Sequence, residues 1–108
     1  MSKPPDVAVS KPAALRNAAP IFAALGDETR LRLIAVLCAG GAMSITQLTS
    51  GTQITRQAVT KHLLVLAQAG LVRDVKTGRE RLWEFELDKL EEARRSLEII
   101  AQVELARQ

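Results

Sequence analysis

Cysteine, histidine and tyrosine are almost absent from this chain. Its 108 residues include one Cys, one His and no Tyr, so an internal disulfide is excluded. The sequence offers no nucleophile and base pair and no phosphate-cradling glycine loop, and we expect neither an enzyme nor a cofactor-binding protein. The same shortage of soft donors argues against a transition-metal site.

Long apolar runs are also missing. No stretch approaches the roughly 18 residues needed to cross a bilayer, and the N-terminal segment MSKPPDVAVSKP lacks the apolar centre of a signal peptide. We therefore expect a cytoplasmic protein with no membrane partner. The length predicts one domain over residues 12–108, preceded by a mobile N-terminal arm over the Pro-rich residues 1–11. With two Phe and one Trp, the chain has few large core anchors, a shortage that a homodimer would relieve.

Positive charge is concentrated in one segment, although the net charge is only +3. Between Arg56 and Arg81 there are six bases and two acids, whereas from Glu84 to the end there are four bases and seven acids. A locally basic segment suits a polyanion, and the acidic C-terminal segment should lie away from it.

Apolar spacing predicts two helices in the first part of the domain. Residues 13–25 carry Pro20, which is expected to kink or split the first helix. Asp27 is placed to cap the second, which ends at Gly40 and Gly41. The predicted inward residues are Leu15, Ala18, Ala19, Phe22 and Leu25 on the first helix, and Leu31, Ile34, Ala35 and Cys38 on the second. Cys38 is thus interpreted as a core residue rather than as a thiol sensor.

The next segments predict a helix-turn-helix unit followed by a hairpin. Ser44 caps a short helix over 45–50, and Thr55 caps a longer one that ends before Gly70, with only residues 51–54 between them. Residues 71–75 and 81–87 are predicted strands around a turn at 76–79, with Trp83 and Phe85 as core anchors. The expected fold class is mostly α with a small β-hairpin wing, that is, a winged helix-turn-helix.

A last helix is predicted from Asp88, with Glu91 completing a capping-box-like arrangement, to the end of the chain. Its apolar stripe is broader than a small domain can cover, so we expect a dimer through the N- and C-terminal helices. The residues predicted at this interface are Leu15, Phe22, Leu90, Ala93, Leu97 and Ile100.

Four segments resemble the ArsR family of bacterial winged-helix repressors: FAALGDETR (22–30), AVTKHL (58–63), AGLV (69–72) and GRER (78–81). The resemblance covers roughly residues 15 to 100. It implies a homodimeric repressor that regulates transcription by binding double-stranded DNA at an inverted-repeat operator. Metal-sensing relatives carry Cys at the start of the helix over 45–50, or His and acidic ligands on the terminal helix. This chain has Ser44, Ile45 and Thr46 at the first place and no His at the second, so it resembles a branch that does not respond to metals.

The polar start of the longer helix provides the chemistry for reading DNA. Because Val59, Leu63 and Leu66 share an inward face, Arg56 is free to bond guanine, and Gln57 to bond adenine. Thr60 suits a thymine methyl group or a phosphate, and Lys61 suits a phosphate. The full predicted DNA-binding set is Thr55, Arg56, Gln57, Thr60, Lys61, His62, Lys76, Thr77, Gly78, Arg79 and Arg81.

Some alternatives stay open at this point. His62 lies at the edge of the outward face, where its ring could bond a phosphate or a group beneath the helix. Arg30 is expected to have a structural role, tying Asp27 or Glu28 to a neighbouring loop. The chain could also be a winged-helix interaction module that has lost DNA binding, although the basic helix and wing speak against this. Whether a small-molecule effector exists is not encoded in any motif.

Overall fold

A computed structural model describes residues 12–107 of the chain, so the arm predicted over residues 1–11 lies outside the described residues. The elements in chain order are α1 (Pro12–Leu25), α2 (Glu28–Gly40), α3 (Ile45–Thr49), α4 (Arg56–Gln68), β1 (Val72–Thr77), β2 (Glu80–Phe85) and α5 (Leu87–Ala106). The two strands pair antiparallel. The predicted fold class is confirmed: a mostly helical chain with a helix-turn-helix and a hairpin wing.

Three of the predicted helix caps are confirmed by hydrogen bonds. The Asp27 carboxylate accepts from the backbone N–H of Arg30 at 3.0 Å, and the Thr55 hydroxyl accepts from that of Ala58 at 3.1 Å. Ser44 and Gln47 form a full capping box, each side chain accepting from the other's backbone N–H. These caps fix where α2, α3 and α4 begin, because they satisfy N–H groups that have no partner inside the helix.

One core joins all the elements of the described chain. α4 contributes Val59, Leu63 and Leu66, which are at most 1% exposed, as predicted for its inward face. The other buried members are Ile21 and Ala24 of α1, Leu33, Ile34 and Leu37 of α2, Leu48 of α3, Leu71 and Val72 near the wing, Trp83 of β2 and Ala93 of α5. Trp83, 3% exposed, is confirmed as a core anchor, and Phe85 packs partly buried against the same cluster.

The prediction of the inward face of α2 was wrong: the face that is buried is rotated by part of a turn from the predicted one. Leu31 is 51% exposed and Cys38 is also exposed, whereas Leu33 and Leu37 are buried with Ile34. Both sets of residues have helical spacing. Beside the shared Ile34, the observed face carries Leu33 and Leu37, whereas the predicted face carries Leu31 with the smaller Ala35 and Cys38, so each position of the observed face buries more apolar area on average.

The first helix shows a similar shift and stays continuous. Ala18 is buried as predicted, but Ala19 is exposed, and the most deeply packed residues of α1 include Ile21 and Ala24. Leu15, Phe22 and Leu25 are half-buried. Pro20 lies inside the helix without splitting it, so that part of the expectation was wrong. In this position Pro20 cannot donate a backbone hydrogen bond to the preceding turn.

The wing and the start of α5 also differ from expectation. The hairpin turn is only Gly78-Arg79, because Lys76 and Thr77 pair with Arg81 and Glu80 as strand residues. Gly78 has a φ of 63°, which an L side chain rarely adopts and which a two-residue hairpin turn of this kind requires. The N-cap of α5 is Glu86, without a side-chain cap, so the capping box predicted at Asp88 was wrong.

The last helix extends beyond the core that its first half helps to build. α5 packs against α1, with Ala93 and Ser96 each 2% exposed. Farther along, Leu97 and Ile100 are each 54% exposed, and Leu105 is 68% exposed. None of the helices between residues 12 and 107 combines the length and apolar character that crossing a membrane requires.

Candidate nucleic-acid interface

The exposed face of α4 presents the polar residues predicted to read bases. Burial of Val59, Leu63 and Leu66 turns Arg56, Gln57 and Lys61 outward, and Thr60 lies half-buried between them. The four polar residues line one shallow depression on the surface. The Thr60 hydroxyl donates to the Arg56 carbonyl at 2.8 Å, which leaves its oxygen lone pairs and its methyl group available to a ligand.

Arg56 also contacts the first helix of the helix-turn-helix. Its Nη1 donates to the Thr46 hydroxyl of α3 at 3.0 Å. This bond could not be predicted from the sequence, because the two residues lie on different helices, ten positions apart. It places the guanidinium between the exposed face of α4 and a cleft bordered by α3 and the wing, where Glu80 and Arg81 lie.

His62 faces the start of α2. Its Nδ1 lies 3.3 Å from Nη1 of Arg30 and 3.8 Å from Oδ2 of Asp27, and the residue is half-buried. Arg30 in turn donates from Nε to the Ala24 carbonyl at the end of α1. This placement favours the structural alternative for His62 and shows that Arg30 joins α1, α2 and α4.

Asp27 adds a negative charge to this junction. The backbone N–H of Arg30 lowers the pKa of the Asp27 carboxyl, and the positive charge of Arg30 and the nearby His62 lower it further. The carboxylate therefore stays ionised below its ordinary range while it caps α2. Glu28, the other acid at this helix end, pairs with Arg32 at 2.8 Å instead.

Ion pairs divide the basic residues of the hairpin into two groups. Arg73 binds Glu84 and Glu86, and these two carboxylates raise the pKa of its guanidinium. Arg81 lies 3.0 Å from Asp74 across the strands. Among residues 12–107, no carboxylate lies within ion-pair distance of Lys76 or Arg79, so the uncompensated charge is at the tip of the wing. The antiparallel register explains the pairing of Arg73, since Glu84 is its direct partner.

Side chains that could ligate a metal are scattered in the described part of the chain. The ring of His62 contacts Arg30 and Asp27, and Cys38 is exposed on α2. Within residues 12–107, no three His, Cys, Asp or Glu side chains are grouped in a way that could hold a metal ion. Ser44 and Gln47 of α3 use their side chains to cap that helix.

A capped helix-turn-helix with a polar, basic second helix, followed by a hairpin with a basic tip, defines a DNA-binding protein of the winged helix-turn-helix class. Residues 25–75 match a family model described as a helix-turn-helix domain. The chain is 38% identical over 80 residues to the HTH-type transcriptional regulator YuzN of Bacillus subtilis, covering 68% of this chain and 87% of that protein. Together with its similarity to the solved structure of an ArsR-like transcriptional regulator, this places the chain in the ArsR family of winged helix-turn-helix transcriptional regulators.

Solved structures and other relatives agree with this assignment. An ArsR-like transcriptional regulator from Rhodococcus sp. RHA1 superposes with a TM-score of 0.79 at 35% identity, covering 88% of this chain and 89% of that chain. The arsenic resistance transcriptional regulator ArsR1 of Pseudomonas putida is 27% identical over 59 residues, which are 55% of this chain and 46% of that protein. The protein is a transcriptional regulator that binds DNA through its helix-turn-helix.

Proposed function

We propose that the protein is a homodimeric repressor that binds an inverted-repeat operator and does not respond to metal ions. The observation that carries the proposal is the exposure of polar and basic side chains on two successive elements, the outward face of α4 and the tip of the wing. Arg56 and Lys61 of α4, together with Lys76 and Arg79 of the hairpin, are the bases without a carboxylate partner on this surface among the described residues.

The roles of the side chains on α4 follow from their hydrogen-bonding groups. Arg56 is suited to guanine O6 and N7, and Gln57 to adenine N6 and N7; a good bidentate pair discriminates against the wrong base by about 1 to 3 kcal/mol. Thr60 offers its methyl group to thymine, and Lys61 a point charge to a phosphate. Thr55, whose side chain caps α4, places the start of the helix.

The wing supplies contacts that hold the protein in register on the duplex. Lys76 and Arg79 at its tip suit phosphates or the minor groove, and Arg81 joins them if DNA displaces its bond to Asp74. Thr77 and Gly78 carry little bulk, which allows the turn to approach the backbone closely. Such contacts add affinity without reading sequence directly.

Dimerisation is proposed through α5, assisted by α1. The exposed apolar residues Leu97 and Ile100 continue the stripe that begins at Ala93, and Leu15, Phe22 and Leu90 are half-buried on α1 and α5. Ala93 is already covered by the core of its own chain, so it offers a partner little surface. Two copies would place their recognition helices about 34 to 36 Å apart, one turn of DNA.

The absence of a metal response is proposed from the chemistry of the side chains. Residues 44–46 are Ser, Ile and Thr, which provide hydroxyl and hydrocarbon groups rather than thiolates, and the ring of His62 is engaged with Arg30. Zn²⁺ and related ions prefer Cys and His ligands. A relative named for arsenic resistance shares less than a third of its aligned residues with this chain.

Selection of bound sites from a random duplex pool tests the proposal. We expect one enriched sequence with two-fold symmetry and half-sites about 10 base pairs apart, bound with an affinity that falls steeply with salt. Arg56→Ala and Gln57→Ala should each lose preference at one base pair of the half-site. In a reporter strain, the operator placed at a promoter should reduce transcription, and added Zn²⁺ or arsenite should leave that reduction unchanged. Absence of enrichment at low salt would reject operator binding, whereas activation of the reporter would reject only the repressor role.

A further inference from the structure

Arg56 is the only residue that lines both the depression on α4 and the cleft beside the wing among the cavities of the described residues. Its Nη1 donates to Thr46 Oγ1 at 3.0 Å, and both residues are exposed. The Thr46 hydroxyl has no other hydrogen bond within residues 12–107. The bond therefore restrains the long, exposed side chain of Arg56.

The acceptor of this bond, Thr46, is held in place by the fold. Thr46 lies in the first turn of α3, which is fixed by the Ser44–Gln47 capping box and by Leu48, 5% exposed in the core. A free arginine side chain loses considerable rotamer entropy when it binds a base, and a bond that already restricts the side chain reduces this loss. The guanidinium has five N–H donors, so the bond to Thr46 leaves others for a guanine.

We infer that Thr46 is a positioning residue, which holds the Arg56 guanidinium in place and thereby sets the base preference opposite Arg56. The inference rests on the proposed operator binding. Thr46 needs no contact of its own with DNA for this role, because it acts through the geometry of Arg56. The expected signature is a loss of preference at one base pair, with little change at the others.

Two substitutions separate the hydroxyl from the shape of the side chain. Thr46→Val replaces the hydroxyl with a methyl group, whereas Thr46→Ser retains the hydroxyl. We expect T46V to reduce the preference at the base pair read by Arg56 by roughly three- to tenfold, the size expected for the net contribution of one ordinary exposed hydrogen bond. T46S should retain most of the preference. The salt dependence of binding should be unchanged in both, since neither substitution removes a charge.

The background variant Arg56→Ala distinguishes positioning from a structural effect. R56A lacks the guanidinium that bonds Thr46, so adding T46V to this variant should cause no further loss of affinity or preference. The measurements are site selection followed by equilibrium binding to the selected operator and to the duplex altered at that one base pair. Thermal unfolding of each variant shows whether the fold is retained.

Several results would overturn the inference. If T46V weakens binding as much in R56A as in the wild type, or if T46S behaves like T46V, Thr46 does not act through Arg56. If the wild type selects an operator but T46V selects the same operator with the same preference, the positioning role is wrong and operator binding stands. If the wild type selects no duplex at all, the positioning role falls together with the proposed function.

Discussion

At the scale of single residues, the helix caps link sequence to the geometry of the interface. Ser44 and Gln47 satisfy each other's backbone N–H groups at the start of α3, with N···O distances of 3.2 and 2.9 Å. These groups would otherwise have only water as a partner, because the first turn of a helix has no internal acceptor for them. The cap is thus a local sequence feature that fixes the helix in contact with Arg56.

Ser44→Ala should lower the free energy of unfolding by about 1 kcal/mol, because alanine cannot accept the bond from Gln47. Ser44→Gly is the matched control and should cost only a few tenths of a kcal/mol, since glycine is tolerated at this position. Urea unfolding followed by circular dichroism measures both values. Equal stability of the wild type and S44A would show that the capping box is not formed in solution.

Asp27 permits a prediction about pH. Asn caps a helix about as well as Asp, so Asp27→Asn removes the charge and keeps the cap. The pKa of Asp27 is lowered in the fold, chiefly by the Arg30 backbone N–H, so its charge stabilises the folded state above the ordinary Asp pKa of ~3.9 and loses this effect as the pH falls through the lower folded value.

We therefore expect the wild type to be more stable than D27N at pH 7 and the difference to shrink toward zero as the pH is lowered below ~4. Urea unfolding of both proteins across this range measures the difference. Glu28→Gln, which alters the neighbouring exposed pair with Arg32, serves as the control for general charge effects. A difference that stays constant with pH would show that the Asp27 charge does not contribute.

At the scale of elements, the starting residues of the helices were easier to predict from the sequence than the faces that the helices bury. The caps of α2, α3 and α4 could be predicted because each depends on neighbours within three residues. The face of α2 could not be predicted from spacing, because the sets containing Leu31 and Leu33 both have helical period. Weighting the two sets by side-chain size would have chosen Leu33 and Leu37. Side-chain size does not explain why Ile21 and Ala24 were missed on α1, because the predicted Phe22 and Leu25 are the larger side chains.

Contacts between distant segments explain the remaining differences. The backbone N–H of Glu86 donates to the Leu71 carbonyl at 2.8 Å, so the chain leaves the hairpin there and α5 starts at once, before the capping pattern at Asp88. Similarly, Thr46 and Arg56 meet only because the turn at 51–54 folds α3 against α4. The polar residues that α4 exposes were predictable from the sequence, whereas these contacts required the tertiary structure.

The basic residues of the wing should differ in how much they contribute to DNA binding, because only some of them have a carboxylate partner. Arg79 lies at the turn without a carboxylate partner in the described chain, whereas Arg73 is paired with Glu84 and Glu86. Arg79→Ala should weaken binding about equally on all sequences and reduce the slope of log affinity against log salt by about 1. Arg73→Ala removes the same charge and should leave this slope unchanged, because its partners already neutralise it. Equal slopes for the two variants would contradict a phosphate contact by Arg79.

At the scale of the whole molecule, the described chain has one half of α5 in its core and the other half exposed. α5 packs against α1 and buries Ala93 and Ser96, but Leu97, Ile100 and Leu105 are more than half exposed. Leu97 and Ile100, three positions apart, share one exposed face of the helix, and exposed apolar side chains grouped in this way are typical of an interface. The ion pairs of Arg94 with Glu91 and Glu98 give the helix a polar surface as well. A second copy is the occupant that the proposed function requires.

The double variant Leu97→Asp with Ile100→Asp tests this directly. Removing two apolar contacts and placing two carboxylates in the interface should weaken dimerisation on the order of 100-fold or more. Sedimentation equilibrium should then show monomers at concentrations where the wild type is a dimer, and operator affinity should fall because each monomer reaches one half-site. Leu31→Asp is the matched control: Leu31 is 51% exposed but lies on α2, so dimerisation should be unaffected. If the double variant sediments as the wild type does, the dimer forms through another surface, and the exposed face of α5 needs a different partner.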